Sequence, residues 1–390
     1  MTNAIEIIGI FVLYLEEEGM GQTGIITTCN AVNYGAVLQA YALKTALEDL
    51  GARAKIINYC GDEYVAGRKL YRKVSGVKSV LYNILICFSF RYRKNRKTVI
   101  GYFDRFKRER LEIEGAVIRR KEDILPDAGY SAMICGSDQV WNLNLFDDDV
   151  YFLCFGQKFP AVPCFAYGVS IAERMTEAQE ALLKERTKHF EAISIREKDT
   201  AKWLGDLLKR SVVNVVDPVF LPRRERWESL AEGEEGGGQR YMFVYFISHA
   251  REDRQIVETL QSRTGLKMRV LNLHPVDYIK GAETSYGVKP EEFVRLIKDA
   301  EIIVTDSFHA TAFSIIFNKE FYNIRRSSRN IRIENLYNIF GMERRYVKLD
   351  EMGGRWQRTG IDYTDINRRM VLLKGDSMRY LKQIAEVDNG

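Results

Sequence analysis

The stretch Glu301-Ile-Ile-Val-Thr-Asp-Ser-Phe-His-Ala-Thr-Ala-Phe-Ser-Ile-Ile-Phe317 constrains this chain more than any other. It reads as a short buried strand (Ile302, Ile303, Val304), a polar turn (Thr305, Asp306, Ser307) and an apolar helix that starts near His309. In an open α/β sheet, ligands sit outside the carboxyl ends of the strands, where helix N-termini point. A turn of this kind therefore faces a ligand, and the unpaired N–H groups around it favour an anion. One of only four histidines in the chain is placed there.

The same unit recurs along the sequence. Gly24 to Thr28 predicts a first strand, Cys29 to Gly35 a turn, and Ala36 to Leu50 a helix stopped by Gly51. Ala54 to Asn58 predicts the next strand and completes a βαβ unit with its loop at the carboxyl end of the sheet. Asn30, Asn33, Tyr34 and Gly35 in that loop tolerate unusual backbone angles and offer hydrogen bonds. Ala132 to Cys135, Val162 to Ala166 and Ala192 to Ile195 predict further strands. They end at Gly136-Ser-Asp-Gln-Val-Trp-Asn142, Tyr167-Gly-Val-Ser170 and Arg196-Glu197-Lys198, so one cleft edge collects four polar clusters. Val212 to Val216 is a strand broken by Asp217-Pro218. A second α/β set begins at Tyr241 to Ile247 and continues through Met268 to Asn272, Pro290 to Asp299 and Phe321 to Ile324.

At 390 residues the chain suits two domains better than one core. The reading places a possible extension at residues 1–19, one Rossmann-like domain over 20–215 and another over 216–390, with the last helices packing back. A helical insertion over about 65–110 interrupts the first domain. Within it, Val80 to Phe90 is apolar and aromatic, and Arg91-Tyr-Arg-Lys-Asn-Arg-Lys97 follows at once. An amphipathic helix ending in a basic cluster can lie on an anionic membrane surface, which predicts peripheral membrane contact through Val80–Lys97; a solvated basic face is the plainer alternative. No RNA- or DNA-binding motif accompanies it, so nucleic acid is not expected as a partner. Six scattered cysteines without a CxxC pair or metal spacing read as reduced core thiols of a cytosolic protein, and no metal site is expected.

His309 is the candidate proton carrier, since a histidine titrating near neutrality can donate or accept a proton in a transition state. GxSxG, the Walker loop and HExxH are absent and no GxGxxG opens a helix, which leaves the hydrolase, dinucleotide, P-loop and zincin readings without support. Arg196 follows one strand directly, and Arg325, Arg326, Arg329 and Arg332 follow another. Arginine forks bind carboxylate and phosphate. A histidine acid beside an arginine anion site suits a small, doubly anionic substrate.

Five segments in order carry a resemblance: Asn33-Tyr-Gly-Ala-Val-Leu-Gln-Ala-Tyr-Ala-Leu43, Cys135 to Asn142, Ile193-Ser-Ile-Arg-Glu-Lys198, Val216-Asp-Pro-Val219 and Thr305-Asp-Ser-Phe-His309. Together they resemble the polysaccharide pyruvyl transferase family from about Gly24 to about Arg345. The resemblance implies an α/β fold of two Rossmann-like domains facing a cleft, similar to B-type glycosyltransferases. It implies transfer of the enolpyruvyl unit of phosphoenolpyruvate to two hydroxyls of one sugar, giving a cyclic ketal and phosphate. No further cofactor is implied beyond that co-substrate. The acceptor would be a surface-glycan precursor, in some cases lipid-linked, met at a cytoplasmic or membrane-associated location. By the same resemblance His309 and Arg196 are catalytic. Asn33, Tyr34, Gly35, Gln39, Ser137, Asp138, Gln139, Trp141, Ser307, Arg325 and Arg329 are expected to bind substrate. Some relatives carry an arginine where this chain has Ser307, so the missing contact falls to Arg325 or Arg329. Two alternatives stay open: a glycosyltransferase of the same architecture using a nucleotide sugar, and a non-catalytic glycan-binding relative.

Overall fold

A computed structural model describes residues 21–388 apart from 62–64, 66–67, 70, 72–73, 125–128, 146, 155–161, 172–174, 234–238, 248–250, 273–278, 325–330, 343–344, 348–357 and 359. Two all-parallel sheets carry the fold. The first contains β1 (Gln22–Ile26), β2 (Ala54–Ile56), β3 (Tyr130–Cys135), β4 (Cys164–Val169), β5 (Phe190–Ile195) and β6 (Val213–Asn214), in the order β2-β1-β3-β4-β5-β6. The second contains β7 (Tyr241–Tyr245), β8 (Lys267–Leu271), β9 (Glu283–Ser285), β10 (Ile302–Thr305), β11 (Glu320–Ile324) and β12 (Tyr346–Val347), in the order β12-β11-β10-β7-β8-β9. The expected α/β class with two Rossmann-like halves is therefore present.

Parallel strands are covered by helices on both faces and must be apolar throughout. Every residue of β7 and of β10 is buried. In each sheet the strand order reverses beside the first strand, between β1 and β3 and between β7 and β10. A crevice opens beyond the carboxyl ends at such a point.

The helices in chain order are α1 (Tyr34–Glu48), α2 (Val77–Phe88), α3 (Phe90–Arg110), α4 (Glu177–Arg186), α5 (Lys198–Leu208), α6 (Arg224–Leu230), α7 (Arg251–Thr264), α8 (Pro290–Asp299), α9 (Phe308–Ile316), α10 (Ile331–Phe340) and α11 (Tyr363–Asp388). The Asn33 side chain caps α1 by accepting from the Ala36 N–H at 3.3 Å. Thr176 and Gln179 form a reciprocal capping box at α4.

The two sheets share a core at the domain junction. Tyr34 stacks on Phe293 of α8 with ring centroids 4.4 Å apart, and its hydroxyl both donates to the Val288 carbonyl (3.1 Å) and accepts from the Val288 N–H (2.9 Å). Helix α11 ties the halves together a second time. Tyr363 at its start donates to the Lys319 carbonyl, Ser377 accepts from the Val216 N–H at 3.0 Å, and Tyr380 donates to the Ala166 carbonyl at 2.9 Å.

Three expectations are corrected. The strand placed at Val212 to Val216 is only Val213–Asn214; Val215 still donates its N–H to the Ile195 carbonyl at 3.0 Å, and the chain then enters the turn at Asp217, whose carboxylate accepts the Val219 N–H at 3.0 Å. The apolar run Val80 to Phe90 is not one helix ending in the basic cluster. The chain breaks at Ser89, and Arg91 to Lys97 form the first turns of the separate helix α3. Among the cysteines, Cys87 is exposed and Cys154 half-buried, while the other four are buried; all six are free thiols.

Candidate active site

The loops after β1, β3, β4 and β5 of the first sheet meet the loop after β10 of the second. Ser307 caps α9 with its hydroxyl, accepting from the Ala310 N–H at 3.3 Å, which sets His309 in the first helical turn. Asp306 accepts the Ile247 N–H at 2.7 Å, and Thr305 binds the Tyr245 carbonyl, so the turn is fixed to the neighbouring strand. His309 is 7% exposed. Across the cleft Gly35, in the first turn of α1, lies flat against its imidazole. A Cβ on residue 35 would come within 1.9 Å of His309 Nδ1. Glycine at 35 is what lets the two domains close around this ring.

Arg196 emerges from the end of β5 and is 4% exposed. The strand beside it is bulged: the β4–β5 register shifts between Ala166 and Val169, around Gly168 at φ +58. That left-handed residue suits glycine, and a Cβ there would touch Arg196 Cγ and Ser137 Oγ at 3.5 Å. The Arg196 Nη1 is ion-paired and hydrogen-bonded to Asp217 Oδ2. His309 Nε2 lies 3.8 Å from the same oxygen. Asp138 stands on the other side, 3.8 Å from Arg196 Nη2 and 3.9 Å from Arg332 Nη1 of α10. Asp138 is held at φ +89, a region that Asp enters at some cost, and is tied down by Thr28 Oγ1 (3.1 Å) and the Gln139 N–H (2.9 Å). The Gln139 amide lies 3.1 Å from both Arg332 Nη atoms and, with its oxygen turned toward them, accepts from each. Both guanidiniums also stand over the Phe308 ring, at 5.3 Å for Arg196 and 5.7 Å for Arg332.

Two guanidiniums and three buried or half-buried carboxylates (Asp138, Asp217 and Glu197) thus surround one imidazole. Burial holds the His309 imidazole below its usual value, although Asp217 and Asp138 pull the other way. Burial raises the Asp138 carboxyl, but Arg196, His309 and Arg332 outweigh it and leave it below the ordinary range. Burial alone would lower Arg196, yet Asp217, Glu197 and Asp138 raise it, so it stays charged.

Several polar atoms here are buried without a hydrogen-bond partner: Arg196 Nε and Nη2, His309 Nε2 and Glu197 Oε2. Unpaired buried polar groups are costly. A cavity of about 20 Å³ adjoins Arg196 and Glu197 and is also lined by Asp217, Phe308, Arg332 and Asn335. Among the described residues no group of three or more His, Cys, Asp or Glu is placed to hold a metal ion.

The remaining expected residues fall into four groups. Asp138 and Gln139 belong to the cluster just described. Tyr34, Gln39, Ser137 and Trp141 turn their hydrogen bonds into the fold. Gln39 is fully buried and donates to Thr27 Oγ1 (2.7 Å) and the Ala36 carbonyl (2.9 Å). Ser137 donates to the Gly168 carbonyl at 2.7 Å. Trp141, expected to face substrate, is fully buried, stacks on Phe152 and donates to the Tyr151 carbonyl at 2.9 Å. Asn33 and Ser307 serve as helix caps, and Arg325 and Arg329 lie outside the described residues. Asp217 and Glu197 were not expected as site residues, and Arg332 was named only as one of the four arginines that follow a strand. Asp217 was legible only as a strand-breaking Asp-Pro, although it sits within one of the five resembling segments.

A family model for polysaccharide pyruvyl transferase matches residues 33–328. No curated protein matches the chain. Among solved structures, a glycosyltransferase from Streptomyces nogalater is 11% identical, with 95% of this chain and 99% of that chain covered and a TM-score of 0.43. An S. aureus protein solved with UDP is 12% identical, with 92% and 91% covered and a TM-score of 0.47. A UDP-GlcNAc 2-epimerase from Neisseria meningitidis is 11% identical, with 94% of each chain covered and a TM-score of 0.45. With the family model spanning both the Arg196 and His309 loops, the chain belongs to the polysaccharide pyruvyl transferase family.

Proposed function

We propose that the protein moves the pyruvate unit of phosphoenolpyruvate onto two hydroxyls of one sugar in a surface-glycan precursor, forming a cyclic ketal and releasing phosphate. The observation that carries this reading is the buried pair Arg196 and His309, which flank one Asp217 oxygen and keep Arg196 Nε and Nη2 and His309 Nε2 unpartnered. Donors of this kind, in a site shielded from water, are suited to an anionic ligand.

In the proposed reaction His309, once protonated, gives a proton to the methylene carbon of the donor. C2 becomes cationic, and the first sugar hydroxyl attacks it. The C2–O bond to phosphate then breaks, and the second hydroxyl closes the ketal. Of the two hydroxyl protons, one replaces the proton His309 gave to carbon and the other leaves on phosphate, so the atoms balance. Burial weakens the imidazole's hold on a proton in the free protein. Negative charge arriving with the donor favours the imidazolium, so donor binding itself charges the acid. Arg196, locked by Asp217, holds the donor phosphate or carboxylate.

Thermal unfolding with phosphoenolpyruvate, and in parallel with a panel of nucleotide sugars, tests the reading. A ligand that binds only the folded state raises the midpoint, by about 2.7 kcal/mol in stability at a hundredfold excess over Kd. Phosphoenolpyruvate is expected to do so in the parent protein and not in Arg196→Met. A rise with nucleotide sugars alone would replace pyruvyl transfer by glycosyl transfer.

A further inference from the structure

Helices α2 and α3 both carry apolar residues, but they turn them in different directions. Val99, Phe103 and Phe106 of α3 are each less than 5% exposed. Phe103 packs on Tyr34 with centroids 5.1 Å apart, and Phe106 packs on Tyr41. Lys107 donates to Asn30 Oδ1 at 2.7 Å, and Arg110 approaches Glu291 at 3.7 Å. The carboxyl half of α3 is thus fastened to both domains at the cleft.

Helix α2 does the reverse. Val77, Leu81, Ile84 and Phe88 fall at helical spacing on one stripe, with Val80 beside them, and they are 76, 55, 47, 86 and 40% exposed in the order named. Phe90, at the start of α3, is 72% exposed and Val74, just before α2, is 65% exposed. Among the described side chains of α2, Ile86 is the buried apolar one. The helix is nonetheless well formed, since the Ser79 hydroxyl accepts the Ser75 and Gly76 N–H groups at 2.9 and 3.1 Å. An outward apolar stripe of this size marks a contact surface rather than scattered exposed residues.

The charges beside the stripe identify its partner. Helix α2 has no acidic residue, and five of the seven residues from Arg91 to Lys97 are basic with none acidic. Lys94 and Lys97 are exposed. A second copy of the chain docking on this face would bring two such cationic clusters together, which costs energy. An anionic lipid surface satisfies both features, taking the apolar stripe at its acyl boundary and the basic cluster at its headgroups. At 1.5 Å per residue α2 is about 18 Å long, against about 30 Å of hydrocarbon, so it lies along a bilayer and does not cross it. No helix among the described residues is long and apolar enough to cross.

We infer that α2 and the first turns of α3 form a docking surface for an anionic phospholipid membrane, with α3 as the rigid link to the cleft. From Phe90 to Phe103 the helix rises about 20 Å, and Phe103 touches Tyr34, the neighbour of the Gly35 that faces His309. Membrane docking therefore fixes how far the cleft stands from the lipid surface.

The test is co-sedimentation of the full-length protein with phosphatidylcholine vesicles made with and without phosphatidylglycerol. Binding is expected only to the anionic vesicles, and it should fall as salt is raised. Leu81→Ser with Phe88→Ser, and separately Lys94→Gln with Lys97→Gln, should each weaken it by about tenfold. Circular dichroism and melting should stay unchanged, because all four side chains are solvent-exposed. Absence of binding to anionic vesicles at low salt would overturn the inference, as would serine variants that bind like the parent. Light scattering that shows a dimer abolished by the serine pair would reassign the surface to self-association.

Discussion

Polar side chains at the strand ends of this protein divide into two groups that look alike in sequence. Tyr34, Ser137 and Trp141 direct their hydrogen bonds into the fold, to Val288, Gly168 and Tyr151, and Gln39 does so through Nε2, to Thr27, while its Oε1 has no hydrogen-bond partner. Arg196, His309 and Glu197 are as deeply buried, yet each keeps at least one polar atom without a partner. The difference is geometric. The first group points back along its own loop toward the sheet or across the domain junction. The second points toward the space shared by the two domains, where Asp217 can satisfy only part of Arg196 and stays 3.8 Å from His309. Polar character at a strand end therefore marks the cleft edge, while residual hydrogen-bonding capacity gathered around Arg196 and His309 marks the place for a ligand.

The sharpest way to break this contrast is His309→Gln. Turnover should fall by about 10²–10⁴-fold, the usual worth of a general acid, with the melting transition retained. A variant with near-parental product formation would remove His309 from the chemistry. Gly35→Ala comes next. Its Cβ would stand 1.9 Å from His309 Nδ1, so the ring must move. A displacement of about 1 Å costs on the order of 10²-fold in rate. Unchanged kinetics would show that the ring position is not critical.

Tyr34→Phe probes the other group. It strips the Val288 N–H and carbonyl of their shared partner, and unpaired buried groups cost about 1–3 kcal/mol. Denaturant unfolding should show that loss while turnover with saturating donor persists. A catalytic loss without a stability loss would move Tyr34 into the site.

The smallest effect is on the pH dependence of folding. With the His309 imidazole depressed by burial, the unfolded chain binds a proton that the folded protein does not. Stability then falls as pH drops below the ordinary histidine value of about 6.5, and levels off below the folded value. The slope is at most about 1.4 kcal/mol per pH unit. His309→Gln should flatten it, whereas the acid-side loss from the depressed Asp138 carboxyl begins lower, below about 3.9. Parallel pH slopes in the two proteins would show that the imidazole is not depressed.

Much of the fold was legible because it is local. Short apolar runs, polar turns and capped helices named most of the strands of both sheets, and the strand-turn-helix around His309 was read almost to the residue. The edge strands β9 and β12 were missed, because three and two residues carry too little pattern. The break at Ser89 was also missed, since the run through Val80 to Phe90 has no glycine or proline to mark it.

The sequence by itself determined the α/β class, the two-part organisation and the loops that reach the cleft, because each depends on neighbours a few residues apart. Only the tertiary structure decided which of those loop residues remain available. Arg196 finds Asp217 on the turn after β6, His309 finds Gly35 on the opposite domain, and Arg332 comes back over Phe308 from α10. The stripe on α2 is turned outward for the same reason: α3, not α2, holds the contacts with α1 and α8. Such choices depend on what the other domain places opposite each side chain, and spacing along the chain does not encode that.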